Sequence, residues 1–280
     1  NGSNAGITVT GERTVLNLGA KGYDKKLTIE GDGDAKIQAA FVTVSEGATA
    51  NMYENVTLQN RKSRGNAYVL VTGSDPVTGS KSVFNMKGGV IEGGSRAVIA
   101  KSGATFNMSG GEIRNCRGGS GKGGGVHVYG ATFVMSGGTI SGCTAEIGNG
   151  GGLCAENSST ITISGGIVNA HGGDLSAAIG CSVGGSCGEI KISGGTVNAV
   201  GGLGTHGAGR VAAITSSVKA PVITGGTVKC NEAVSTRAAS LASASASPAP
   251  AALHFLPASP RAPAPDPDAE PTSPAPEDEQ

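Results

Sequence analysis

The sequence predicts an all-β protein: a right-handed parallel β-helix of about seven or eight coils, followed by a disordered Pro/Ala/Ser-rich tail. Three observations carry this. A motif of short strand, Gly-Gly and short strand recurs along residues 27–230. Its apolar residues align in columns, with mostly polar residues between them. Glycine, 49 of the 280 residues, stops at Gly226, whereas ten of the twelve prolines follow Lys229.

The clearest copies read Phe84-Asn85-Met86-Lys87-Gly88-Gly89-Val90-Ile91, then Phe106-Asn107-Met108-Ser109-Gly110-Gly111-Glu112-Ile113, then Phe133-Val134-Met135-Ser136-Gly137-Gly138-Thr139-Ile140. Two more run Ile161–Val168 and Ile190–Val197, and a weaker one Pro221–Val228. The second glycine falls at 89, 111, 138, 166, 195 and 226, so the spacing grows from 22 to 31. Apolar residues alternating with polar ones follow strand periodicity, which sends one face inward and the other outward. Stacking such units at ~4.8 Å turns each column into a ladder of like side chains. Helix is disfavoured, because glycine costs up to about 1 kcal/mol per residue in a helix interior.

A second strand per coil is expected at Val126-His127-Val128 and Leu153-Cys154-Ala155, each after a triple glycine. Upstream, Leu27–Gly33, Phe41–Val44 and Val56–Leu58 read as strands in the same style. Residues 1–26 are expected to form an irregular cap or first coil, since terminal repeats are atypical. The domain reading is therefore an irregular cap or first coil over 1–26, a β-helix over 27–234 and a disordered Ala/Ser/Pro-rich acidic tail over 235–280. The competing folds, a sandwich or a propeller, favour hairpins and units of about 40 residues.

These Ser-Gly-Gly-Thr-Ile/Val copies, preceded by Phe-x-Met or Ile-x-Ile, resemble the repeats of large bacterial surface proteins with a pectate-lyase-like β-helix. Leu27–Asn60, with Thr28-Ile29-Glu30-Gly31-Asp32-Gly33 and Asn55-Val56-Thr57-Leu58, resembles their N-terminal coils. The resemblance covers about residues 27–230 and implies an extracellular or cell-surface location. It is specific for architecture and weak for function, because this fold hosts lyases, hydrolases and adhesins alike.

Composition excludes some classes. Net charge is zero and Trp is absent, which argues against nucleic-acid partners. No segment reaches the ~20 apolar residues of a membrane span. The stretch opening Asn1-Gly2-Ser3 carries no signal-peptide pattern, so a fragment or processed product is expected.

Polysaccharide-cleaving enzymes need paired carboxylates, one acid and one base or nucleophile. Aspartates are few: Asp24, Asp32, Asp34, Asp75 and Asp174 precede the tail. Asp32-Gly33-Asp34 is a weak calcium candidate, offering hard oxygen ligands, although Gly and Asp equally favour a turn. Glu92, Glu112, Glu146, Glu156 and Glu189 occupy different repeat positions and form no column. His127 aligns with Cys154 one coil later, but two ligands fall short of the three or four that a metal needs. The triple glycines Gly123–Gly125 and Gly150–Gly152 lack the lysine of a phosphate loop and read as tight corners.

Cys116 and Cys143 occupy equivalent places and are expected as neighbours ~4.8 Å apart, a candidate disulfide. Parallel side chains would leave their Cβ atoms beyond the usual disulfide range, so two stacked thiols are expected unless a corner relaxes to close the bond. Cys181–Cys187 is an alternative pair. The leading functional expectation is a non-catalytic, structural or adhesive segment of a secreted or surface bacterial protein, without cofactor. Its partner would be an extracellular glycan or a host or bacterial surface protein. The alternative is a polysaccharide lyase or glycoside hydrolase.

Overall fold

The computed structural model describes residues 6–31, 40–60, 67–118, 123–145, 150–174, 176–181, 187–203, 212–216, 220–231 and 252–255. It is a parallel β-solenoid whose coils stack their strands into three sheets. The first sheet stacks Ile7–Thr10, Val42–Ser45, Val69–Thr72, Val98–Lys101, Val126–Tyr129, Leu153–Glu156 and Ile179–Gly180. The second stacks Val15–Leu18, Thr49–Met52, Val83–Met86, Thr105–Met108, Thr132–Met135, Thr160–Ile163, Glu189–Ile192 and Val222–Ile223. The third stacks Leu27–Gly31, Val56–Asn60, Val90–Gly93, Glu112–Arg114, Thr139–Ala145, Ile167–His171, Thr196–Val200, Thr227–Cys230 and Ala252–Phe255. Arg117–Gly118 pairs separately with Thr139–Ala145. Among the described residues seven coils contribute a strand to all three sheets, and Val222–Ile223 and Thr227–Cys230 belong to an eighth. Among the described residues no helix is long and apolar enough to cross a membrane.

The columns become ladders in register. Phe106 pairs with Phe84 on one side and Phe133 on the other, and Met108 likewise lies between Met86 and Met135. The phenylalanine rings stack at centroid distances of 5.2 and 4.9 Å. Further on, Ile161 and Ile190 continue the Phe column, and Ile163 and Ile192 the Met column. On the third sheet Ile91, Ile113, Ile140, Val168, Val197 and Val228 form the matching inward ladder. One continuous apolar core joins them to the valines of the first sheet.

The Gly-Gly corner between the second and third sheets has two separate causes. At the first glycine of the pair the chain passes directly over the preceding coil; a Cβ on Gly110 would collide with the Lys87 carbonyl oxygen. The second glycine turns the chain with positive φ, +82° at Gly111, a region that side chains avoid. One glycine relieves contact and the other permits the bend.

Of the two N-terminal expectations, cap or first coil, the structure forms a coil: from Ile7 onward Ile7, Val15 and Leu27 pair in register with Val42, Thr49 and Val56. Among the described strands it has a neighbour on one side only; Ile7 and Val15 are exposed while Val9 and Leu18 still reach the core. Its corners lack the Gly-Gly signature. In the tail, Ala252–Phe255 adds a parallel strand beside Thr227–Cys230. The rest of the segment expected to be disordered lies outside the described residues.

Candidate functional site

The first sheet holds the densest cluster of chemically active side chains. In Val126–Tyr129 and Leu153–Glu156, strand alternation sends Val126, Val128, Leu153 and Ala155 into the core. His127, Tyr129, Cys154 and Glu156 therefore take the outer face. Register pairs His127 with Cys154 and Tyr129 with Glu156. Outer-face residues of a solenoid are ordinarily open to water. Here His127 is only 7 % exposed and Cys154 is 0 % exposed.

The triple-glycine segments explain that burial. A Cβ on Gly123 would stand 2.6 Å from Cys154 Cβ, so only glycine lets this strand lie against the cysteine. Gly124 carbonyl accepts from the Ala97 amide, and the Gly124 amide donates to Gly151 carbonyl, lacing three coils together at this corner. On the next coil Cys187 forms an antiparallel β-bridge with Glu156. The Cys181–Cys187 disulfide, with Cα atoms 5.3 Å apart, staples that coil beside the cluster.

Within the cluster His127 Nε2 lies 2.9 Å from Glu156 Oε2. One ligand atom from each of His127, Cys154 and Glu156 lies within 4.8 Å of the others. His127 Nδ1 is buried and has no hydrogen-bond partner. Burial pushes the Cys154 thiol well up from its ordinary range, the Glu156 charge adds to this, and amides of Gly123 and Gly150 and the Arg96 charge oppose it. Arg96 is itself partly buried, and that burial pulls its guanidinium down. Sequence reasoning paired His127 with Cys154 but missed Glu156. The signal was the two-residue step from Cys154 to Glu156, which puts both on one strand face.

The other expected sites fare differently. Asp32 and Asp34, the weak calcium candidates, lie outside the described residues, as do Glu146 and His206. Cys116 and Cys143 are neighbours as expected, but the candidate disulfide between them is not formed; both are buried free thiols. Parallel stacking keeps their Cβ vectors side by side. The Sγ of Cys116 lies 3.3 Å from the Arg114 carbonyl and that of Cys143 3.4 Å from the Ser141 carbonyl, and Cys143 also reaches the Ile113 carbonyl of the preceding coil at 3.9 Å. A hydrogen bond in which the Cys116 thiol donates to Cys143, followed by burial, pushes the Cys116 thiol well up. The alternative pair, Cys181–Cys187, is the one that is bonded.

Glu92 and Glu112 do meet, one coil apart, through Arg114: Nε reaches Glu92 at 2.7 Å and an outer nitrogen reaches Glu112 at 2.9 Å. Lys191 holds Glu189 at 2.9 Å. These half-exposed ion pairs contribute roughly 0–1 kcal/mol each. On the outer face of the second sheet, Asn17, Asn51, Asn85 and Asn107 form an amide ladder, each Nδ2 donating to the Oδ1 one coil back at 2.9–3.0 Å. Comparison with known proteins gave no matching family profile, no similar curated protein and no similar solved structure.

Proposed function

We propose that the chain is the non-catalytic β-helical part of a secreted or surface-exposed bacterial protein, serving a structural or adhesive role. Its partner is an extracellular glycan or a host or bacterial surface protein. The observation that carries this reading is the amide ladder Asn17–Asn51–Asn85–Asn107. Hydrogen bonds along it orient every amide the same way, so the row presents a repeated donor–acceptor pattern at the ~4.8 Å coil spacing. Thr105, Thr132 and Thr160 occupy the first position of three consecutive strands on the same sheet and add hydroxyls at the same repeat, with Thr49 beyond Val83 in the same column. A rigid polar face with a regular repeat suits a repetitive ligand, because its ordering entropy is already spent on folding.

The test is binding of the full chain to an array of bacterial and host polysaccharides and to immobilised surface-protein extracts. Wild type should bind at least one class. The pair Asn85→Leu and Asn107→Leu, which keeps side-chain size but removes the amides, should weaken binding at least tenfold. Release of shortened, unsaturated or newly reducing sugar from an acidic polysaccharide would instead establish the lyase or hydrolase alternative. Binding untouched by the double substitution would displace the ladder from its role.

A further inference from the structure

Most of the outer surface of the three sheets is polar and open. On the first sheet it is closed around His127 and Cys154, and there a histidine, a cysteine and a glutamate converge. We propose that His127, Cys154 and Glu156 form a zinc-binding site that ties two neighbouring coils together, with a water molecule as the fourth ligand. The proposal stands apart from the adhesive reading, since the amide ladder lies on a different sheet.

Geometry is the first support. The three ligand atoms lie within 4.8 Å of one another. A tetrahedral zinc with bonds of ~2.0–2.3 Å sets its ligand atoms roughly 3.3–3.8 Å apart, so side-chain rotation alone brings the set to bonding distance. His127 and Cys154 are direct register partners, and Glu156 stands two residues from Cys154 on the same face. The backbone positions are therefore held by the ladder and need no rearrangement.

The second support is independent. His127 has a side chain only 9 % exposed, and its Nδ1 is buried without a hydrogen-bond partner. Buried polar atoms are nearly always satisfied, so such an atom within a cluster of ligand-type groups points to a partner that is neither protein nor bulk water. Zinc takes Nδ1, and Glu156 turns from its 2.9 Å contact with Nε2 to reach the metal.

Donor chemistry selects the metal class. A thiolate, an imidazole and a carboxylate suit zinc; calcium and magnesium demand oxygen ligands alone. Zinc balances the charges of the thiolate and the carboxylate, and Arg96 near Cys154 is the remaining cation. Glu156 is the most open of the three, its side chain 23 % exposed, so the fourth position faces solvent on that side. Gly123 closes the opposite side against Cys154.

The experiment uses the full chain, stripped with chelator and then titrated separately with Zn²⁺ and Co²⁺. One zinc per chain should bind and raise the melting temperature. Cobalt should produce a thiolate-to-metal charge-transfer band in the near ultraviolet. Cys154→Ser should abolish that band, and Glu156→Gln should weaken zinc binding at least tenfold. The double substitution Cys116→Ser with Cys143→Ser should change neither readout, which separates this site from the other thiol pair. If Cys154→Ser does not fold, Glu156→Gln decides the matter, because that side chain reaches solvent. Failure to retain zinc, a band that survives in folded Cys154→Ser, or wild-type affinity in Glu156→Gln would each overturn the proposal.

Discussion

Glycine acts in this chain through two distinguishable effects, and single residues separate them. Gly103 and Gly111 share φ +82°, yet a Cβ on Gly103 meets nothing within 4 Å, whereas one on Gly111 stands 2.7 Å from Gly88 and Gly89 backbone atoms. Replacing Gly103 with alanine should cost only the left-handed backbone penalty, about 1–2 kcal/mol. Gly111→Ala carries the same penalty plus a clash with the backbone of the coil below. Its loss of stability in urea unfolding should exceed that of Gly103→Ala by at least ~1 kcal/mol, in keeping with the cost of overpacking. Equal losses would mean that coil-to-coil approach does not set the glycine requirement. The asparagine ladder is the polar counterpart at this scale. Asn51 is buried to 8 % exposure and is satisfied from both sides, accepting from Asn85 and donating to Asn17. Val134 interrupts the row at the next coil, and the ladder stops there.

Strands in this protein gain little from their own length, since most are four residues long. Their stability comes from stacking. Phe106 lies between Phe84 and Phe133 with both rings in offset contact, and none of the three is exposed. Phe106→Ala removes two ring contacts and leaves a cavity in the middle of the ladder. A loss of about 3–5 kcal/mol is expected. Phe84→Ala gives up one ring contact, since its other neighbour is Ala50, and should cost less. Thermal unfolding of the two variants should rank them in that order; the reverse ranking would argue against ring stacking as the source. The same element-level logic shapes the His127–Cys154–Glu156 cluster, where two adjacent strands supply all three groups and the glycine segment supplies the roof.

At the scale of the whole molecule each coil touches only its neighbours, so stability is close to a sum of local terms. The Cys181–Cys187 disulfide closes a short loop, with a sequence separation of 6. Such a bridge contributes on the order of 2 kcal/mol through the unfolded state. In a solenoid that contribution should be felt locally. Cys181→Ser with Cys187→Ser is expected to speed amide exchange in Leu153–Glu156, Ile179–Gly180 and Glu189–Ile192, and to leave Val42–Ser45 and Val83–Met86 protected. Uniform loss of protection would show instead that the coils unfold as a single unit. Both ends of the stack also matter. Ile7–Thr10 is an unpartnered edge among the described strands, whereas Ala252–Phe255 lies on the edge of Thr227–Cys230 at the other end.

The columns of the sequence by themselves determined the parallel ladders. Alternation with a period of two, together with a bend at the same place in every copy, leaves few other ways to bury Phe84, Phe106 and Phe133 on one side. The pairing of His127 with Cys154 was legible for the same reason, because equal offsets from equal glycine runs become register partners. Tertiary structure alone decided the rest. Between a cap and a first coil the sequence did not choose, because the corners there use Gly19 and Gly22 without the paired motif, and register with Val42–Ser45 decides for the coil. Glu156 joined the cluster only when coil stacking placed it beside His127, across 29 residues of sequence. Parallel register already favoured free thiols at Cys116 and Cys143, but that Cys181 and Cys187 meet and bond was settled only by the fold. In-register thiols on stacked parallel strands point alongside one another, whereas two cysteines flanking a loop can turn to face each other.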